Sequence, residues 1–148
     1  GKCKPELVAR KKNEKLDNVI FHDAVPKHKI IGLLAGADIG LQCLANVPAF
    51  YFGTSPNKFF DYISAGLPVL NNYPGWLAQL ITDSNCGRVV PPDDPEAFAD
   101  TLEKFADDRE AGIIQGQAAL KLAQMEFDRD EQGARWVDWV VGAAQVQA

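Results

Sequence analysis

Between Thr54 and Leu70 the chain reads TSPNKFFDYISAGLPVL, and these residue types at this spacing suit anion chemistry. Ser55 is a favoured helix N-cap, and Pro56 suits the first helical position, where an amide hydrogen would have no partner anyway. Asn57 and Lys58 then fall in the first turn, where free backbone N–H groups and the helix dipole attract negative charge. Lys58 adds a full positive charge. Asp61 lies three residues beyond Lys58 and four beyond Asn57, so the three share one helix face. Phe59 and Ile63 form a second face suited to a core. Gly66 ends the helix, and Pro68 follows it. A phosphate at the helix start and a ribose diol at the carboxylate would together make a nucleoside diphosphate. The same residues also read plainly as a cap, a solvated lysine and a surface charge, since a capped helix after a strand is common.

Other candidates carry less. His22 and His28 are too few for a metal site and read as surface or turn histidines. Cys3, Cys43 and Cys86 form no C-x-x-C pair and imply neither a disulfide framework nor zinc, which suits a reducing cytoplasm. The aromatic run Val47–Phe52 (VPAFYF) could line a ligand pocket or pack under its own loop. Asn71–Trp76 (NNYPGW) follows a strand, where open α/β sheets bind ligands, and is a second choice for ligand contacts. Trp136 and Trp139 are expected to pack the last helix onto the domain, with a membrane face as the other reading.

The elements that would position these residues alternate. Lys4–Lys15 reads as a charged helix, Asn18–His22 (NVIFH) as a strand, Pro26–Ala37 as a helix and Asp38–Leu44 (DIGLQCL) as a strand. Ala45–Thr54 is a loop, Ser55–Gly66 the helix above, and Leu67–Asn72 a strand. Gly75–Asp83 is a helix and Gly87–Val90 a strand stopped by Pro91 and Pro92. Pro95–Asp107 is a helix opened by an Asp94 cap. Two helices, Asp108–Phe127 and Asp130–Ala143, complete the chain. Strand–helix alternation with apolar strands implies an α/β fold: a parallel sheet with helices on both faces, in a single domain over residues 1–148.

The block SPNKFFDYISAGLPVL resembles the signature of the family 4 retaining GT-B glycosyltransferases. In the same order, NVIFHDAVP, GADIGLQCL and GRVVPPDDPEAFADTLEKF resemble the flanking strands and turns, so the likeness runs from Gly1 to about Phe127. It implies a Rossmann-like parallel sheet, part of the C-terminal, nucleotide-sugar-binding domain of a GT-B fold, and it is nearest to the bacterial O-antigen and capsule type. By the same resemblance the substrate is a nucleoside-diphosphate sugar, expected to be UDP-linked, with no further cofactor and no metal. The backbone amides of Asn57 and Lys58 would meet the β-phosphate and Asp61 the ribose, with Thr54 and Ser55 also in the donor site and Asp23 and Val25 of the Phe21–Val25 turn beside the nucleobase. Many relatives have glycine where Asp23 stands. The family often carries two glutamates seven residues apart. The second falls at Asp61, on a shorter arm, and the first at Gly53, which offers no carboxylate.

The resemblance also implies pieces outside this sequence: an acceptor domain for a glycan or lipid-linked substrate, and a first strand–helix–strand unit. No residue here is assigned as catalytic base or nucleophile. Two expectations follow for the open sheet edges: either the natural polypeptide is longer, or the edges are repaired by pairing with another copy or by an exchange of elements between copies.

Composition excludes other classes. The 148 residues carry a net charge of −5 with 47% apolar residues, which suits a globular domain and argues against a nucleic-acid partner. Residues 1–30 hold eight Lys/Arg against four Asp/Glu, a basic stretch that reads as the solvated face of a first helix or as a patch facing anionic lipid at the inner membrane face. No G-x-G-x-x-G occurs, which removes support for a dinucleotide site. A nucleotide-binding module without transferase activity, and a GT-B-like sugar-nucleotide epimerase, are the competing functions.

Overall fold

The computed structural model describes residues 2–145, in two compact units that divide between Ile30 and Ile31. In the first unit, helix α1 (Lys4–Glu14) begins with Pro5 in its first turn and ends at Lys15, whose backbone is left-handed (φ 55°). None of its residues is buried, in keeping with the solvated basic face expected of it. The stretch 18–22 forms no strand. A strand exists through its ladder partners, and among the described residues none pairs with it; Val19 N–H instead turns back to Leu16 O at 3.2 Å, and Ile20 is exposed. Helix α2 (Lys27–Leu34) follows.

The second unit holds a three-stranded parallel sheet, β1 (Gly40–Gln42), β2 (Val69–Asn71) and β3 (Gly87–Val89), in the order β1-β2-β3. The central strand is buried on both faces, with Val69, Leu70 and Asn71 fully inaccessible. Alternation along β2 sends its side chains to opposite sides. Val69 joins Phe59 and Ile63 of α3 (Asn57–Ser64), Leu77 and Ile81 of α4 (Trp76–Asp83), and Ala119, Leu122 and Ala123 of α6 (Arg109–Glu126). Leu70 joins Val90 and Phe105 of α5 (Pro95–Asp107), with Phe98 and Leu102 packed against them. Helices therefore cover both faces of a small parallel sheet, the Rossmann-like arrangement expected from the strand–helix alternation.

Local signals set the helix ends. Asp94 caps α5 by accepting from Ala97 N–H at 2.9 Å, and Asp108 caps α6 by accepting from Ala111 N–H at 3.0 Å. Gly66 (φ 71°) closes α3. Its N–H reaches Ile63 O at 3.1 Å and Leu67 N–H reaches Tyr62 O at 3.0 Å, the paired bonds of a Schellman stop. Helix α7 (Arg129–Gln145) departs from expectation. It contributes no buried residue, and Trp136 and Trp139 are 64% and 70% exposed instead of packed onto the domain. The two indoles sit three residues apart on one helix side, and both stay exposed.

Candidate functional site

The candidate site is the start of α3, at the carboxyl end of the parallel strands. Sequence reasoning put Ser55 at the N-cap and Pro56 at the first helical position; the structure moves both back by one. Pro56 is the N-cap, with an extended backbone (φ −73°, ψ 125°), and Asn57 is the first helical residue. The proline ring has no acceptor atom, and Ser55 stands too far back for its hydroxyl to reach the first turn. The helix start therefore has no side-chain cap. Phe59 N–H reaches Pro56 O at 3.0 Å, whereas the amides of Asn57 and Lys58 have no acceptor among the described residues.

Two exposed side chains stand at this end, Asn57 and Lys58, with half-buried Asp61 one turn further in. On the opposite face Phe59 and Ile63 are fully buried, as expected. Thr54 is held by its backbone: its N–H donates to Phe50 O at 3.0 Å and its carbonyl accepts from Trp76 Nε1 at 2.9 Å. Asp23 and Val25 belong to the first unit. There Lys4 Nζ donates to Asp23 Oδ1 at 2.8 Å and to His22 O at 2.9 Å. The hydrogen bond and charge of Lys4 hold the Asp23 carboxyl below its ordinary pKa.

Sequence reasoning missed a thiol at this site. Exposed Cys43, just after β1, feels the field of Lys58; burial of the sulfur pushes its pKa up and the lysine charge partly opposes this. Burial also raises the Tyr62 phenol, with Cys43 and Asp61 adding to the rise. Its hydroxyl donates to Leu41 O at 3.3 Å. Cys43, Lys58, Asp61 and Tyr62 thus form one electrostatic neighbourhood. Local spacing carried no signal for it, since Cys43 and Lys58 stand 15 positions apart.

The second-choice stretch NNYPGW braces the neighbouring loop. Asn72 accepts from Leu44 N–H at 2.9 Å and donates to Leu44 O at 3.1 Å, imitating one more rung of the β1–β2 ladder. Gly75 (φ 104°) lies so near Tyr51 that an added Cβ would fall 2.0 Å from the Tyr51 carbonyl oxygen. The run Val47–Phe52 divides: Tyr51 packs against Tyr73, while Phe50 and Phe52 face solvent. Among the described residues no group of three or more His, Cys, Asp or Glu could hold a metal ion, and no helix is long and apolar enough to cross a membrane.

Comparison with known proteins agrees with this architecture. Residues 1–108 match the family model described as glycosyl transferases group 1, and the chain belongs to that family. It is similar to the D-inositol 3-phosphate glycosyltransferase of Streptomyces coelicolor, 37% identical over 82 residues, which cover 55% of this chain and 18% of that enzyme. The aligned chain thus spans less than a fifth of that relative's length. No solved structure matches it.

Proposed function

We propose that this chain is part of the donor-binding half of a retaining, family 4 glycosyltransferase that takes a sugar from a nucleoside diphosphate, with UDP as the expected carrier, and adds it to a bacterial surface glycan precursor. The observation that carries the reading is the open start of α3: two unpartnered first-turn amides beside the Lys58 ammonium, with the Asp61 carboxylate one turn inside. An anion there gains charge-assisted hydrogen bonds and the favourable end of the helix dipole.

In the reaction, the bond between the anomeric carbon and the diphosphate breaks, and negative charge grows on the departing phosphate oxygens. The amides of Asn57 and Lys58 and the Lys58 ammonium are the groups that would hold this charge. Asp61 would accept from a ribose hydroxyl. Other parts of the intact polypeptide would present the acceptor. In this reading no metal is needed, because the lysine and the amides supply the positive field. The cytoplasm, where nucleotide sugars are made, is the proposed compartment, with the basic face of α1 suited to the inner surface of a membrane.

The test is titration of the chain with UDP, GDP and ADP, beside Lys58→Met and Asp61→Ala. Saturable binding of one nucleoside diphosphate, weakened about tenfold or more by Lys58→Met, is expected, since a hydrogen bond to a charged group is worth roughly 1.5–3 kcal/mol. A folded chain that binds none of the three, or binds with no dependence on Lys58, would overturn the reading.

A further inference from the structure

Two apolar surfaces of the second unit stand open, one along the start of α6 and one just beyond its end. The first is a cavity of about 540 Å³. Residues just before β1 (Ala37, Asp38, Ile39) and just before β2 (Gly66, Leu67, Pro68) line it, so it lies at the amino end of the strands, away from the start of α3. Leu102, Phe105, Ile113 and Leu120 add apolar wall, and the last two are exposed. The rim is acidic. Asp38 and Arg109 stand in it, with Arg109 donating to Asp38 Oδ1 at 2.8 Å. Exposed Asp107, Asp108 and Glu110 adjoin Arg109 in the chain, so four carboxylates stand against one guanidinium.

The second surface is one side of α7. Spacings of three and four place Gln132, Trp136, Trp139, Val140 and Ala143 together along the helix. Trp136, Trp139 and Val140 are exposed, and α7 buries none of its described residues. Arg129 shares this side, and Arg135 adjoins Trp139 one turn away, whereas Asp130, Glu131 and Asp138 fall on the opposite side. The indole stripe is therefore flanked by positive charge and the cavity by negative charge. Paired indoles on an exposed stripe mark an interaction surface. An anionic membrane would suit the stripe but would leave the acidic cavity without a partner. A second copy of the chain accounts for both.

We infer that α7 docks its indole side in the cavity of a second copy, and that the contact is reciprocal. Helix α7 has 17 residues and extends about 26 Å. The cavity takes its α6 wall from Arg109 to Leu120, and α7 follows the other end of α6. A twofold axis that sets the two α6 helices antiparallel brings each α7 against its partner's cavity. A covered aromatic side chain removes roughly 150–250 Å² from water. With about two thirds of each indole exposed, one docked α7 and the wall it meets would bury about 400–650 Å² together, too little for a stable pair. Two such contacts, with Val140 and the arginine stems added, reach about 1,000 Å² or more, where specific interfaces begin. The contact is independent of the donor site, which lies at the other end of the sheet.

Sedimentation velocity of the chain, from about 1 to 200 µM, tests this. A monomer–dimer equilibrium with a Kd in the tens of micromolar or tighter is expected. The variants are Trp136→Ser with Trp139→Ser, and Ile113→Asp on the cavity wall. All three positions are exposed, and thermal unfolding checks that the fold is kept. Each variant should raise the dimer Kd about tenfold or more, as for loss of a central anchor. An equimolar mixture of the two variants should dimerise more readily than either alone, because one sound α7 then meets one sound cavity. A chain that stays monomeric throughout the range would overturn the inference. So would a dimer lost with the indoles but indifferent to Ile113→Asp, since the indoles would then pair with each other. Indole fluorescence that shifts to the blue only with phosphatidylglycerol vesicles, in a monomeric chain, would assign the stripe to lipid instead.

Discussion

Pro56→Asp should weaken nucleotide binding while leaving the fold intact. Pro56 is the N-cap of α3 and has no acceptor atom, and its extended backbone is one that aspartate adopts readily at this position. A carboxylate there would accept from a first-turn amide, with the orphan N–H of Lys58 in reach. Such caps add about 1 kcal/mol of stability, and loss of the proline ring gives back roughly 0.4–1 kcal/mol through the unfolded chain. The melting temperature should therefore move little, or rise. The ligand meets the opposite effect. A diphosphate that loses one amide to the new cap forfeits a charge-assisted hydrogen bond of roughly 1.5–3 kcal/mol, which is about tenfold to a hundredfold in Kd. It also faces a like charge. Pro56→Ser removes the amide without adding the charge, so its loss should be smaller and less sensitive to salt, whereas part of the Asp effect should fade between low and high ionic strength. Calorimetric titration with UDP at two salt concentrations, beside thermal unfolding of each variant, makes the measurement. Unchanged or tighter UDP binding by a folded Pro56→Asp chain would refute the claim that the open amides of α3 hold the phosphate.

Three further outcomes are expected. Cys43, with its pKa raised by burial and partly lowered by Lys58, should alkylate slowly near neutral pH, faster as the pH rises through the range above an ordinary thiol, and more slowly still when UDP is bound; mass spectrometry of the iodoacetamide adduct, with exposed Cys3 as internal reference, reads all three. In carbon-detected NMR titrations the Asp23 carboxyl should have its midpoint below the ordinary carboxylate value, and Lys4→Met should move it back up. Because the folded-state pKa is depressed, the stabilisation from this pair is present above the ordinary carboxylate range and is lost as the pH falls through the lowered value. Gly75→Ala should cost about 2 kcal/mol or more, from an unfavourable backbone conformation plus overlap with the Tyr51 carbonyl, and thermal unfolding should show it as a lower Tm.

What was legible from the sequence follows the range of the interactions. The stop of α3 at Gly66, the Asp94 cap and the buried pair Phe59 and Ile63 are written within a turn or two of the residues concerned, and each appears where expected. The α3 start slipped by one residue because a Ser-Pro pair satisfies two capping patterns, and only the backbone angle at Pro56 decides between them. The strand expected at 18–22 failed for a non-local reason: its residue types suit a sheet, but nothing local supplies a ladder partner. Trp136 and Trp139 misled in a related way, since an apolar helix side implies burial but does not name the surface that buries it. The Asn46–Asp93 bridge joins residues 47 positions apart, and the Asn72 clamp on Leu44 spans 28. Neither leaves a mark in local spacing.

The two faces of α3 divide its labour, and this explains why site substitutions can be read as binding effects. Phe59 and Ile63 anchor the helix in a core shared with Val69, Leu77 and Ile81, and Gly66 fixes where it stops. Asn57 and Lys58 contribute nothing to that core. A helix held this firmly by its buried face can leave its first-turn amides unsatisfied by any side chain, a cost a few tenths to about 1 kcal/mol that an ordinary cap would remove. The anchoring contacts tolerate that deficit, and the amides stay open for a ligand. Adding a cap should then stabilise the free chain and weaken the complex, whereas truncating Phe59 or Ile63 should destabilise both.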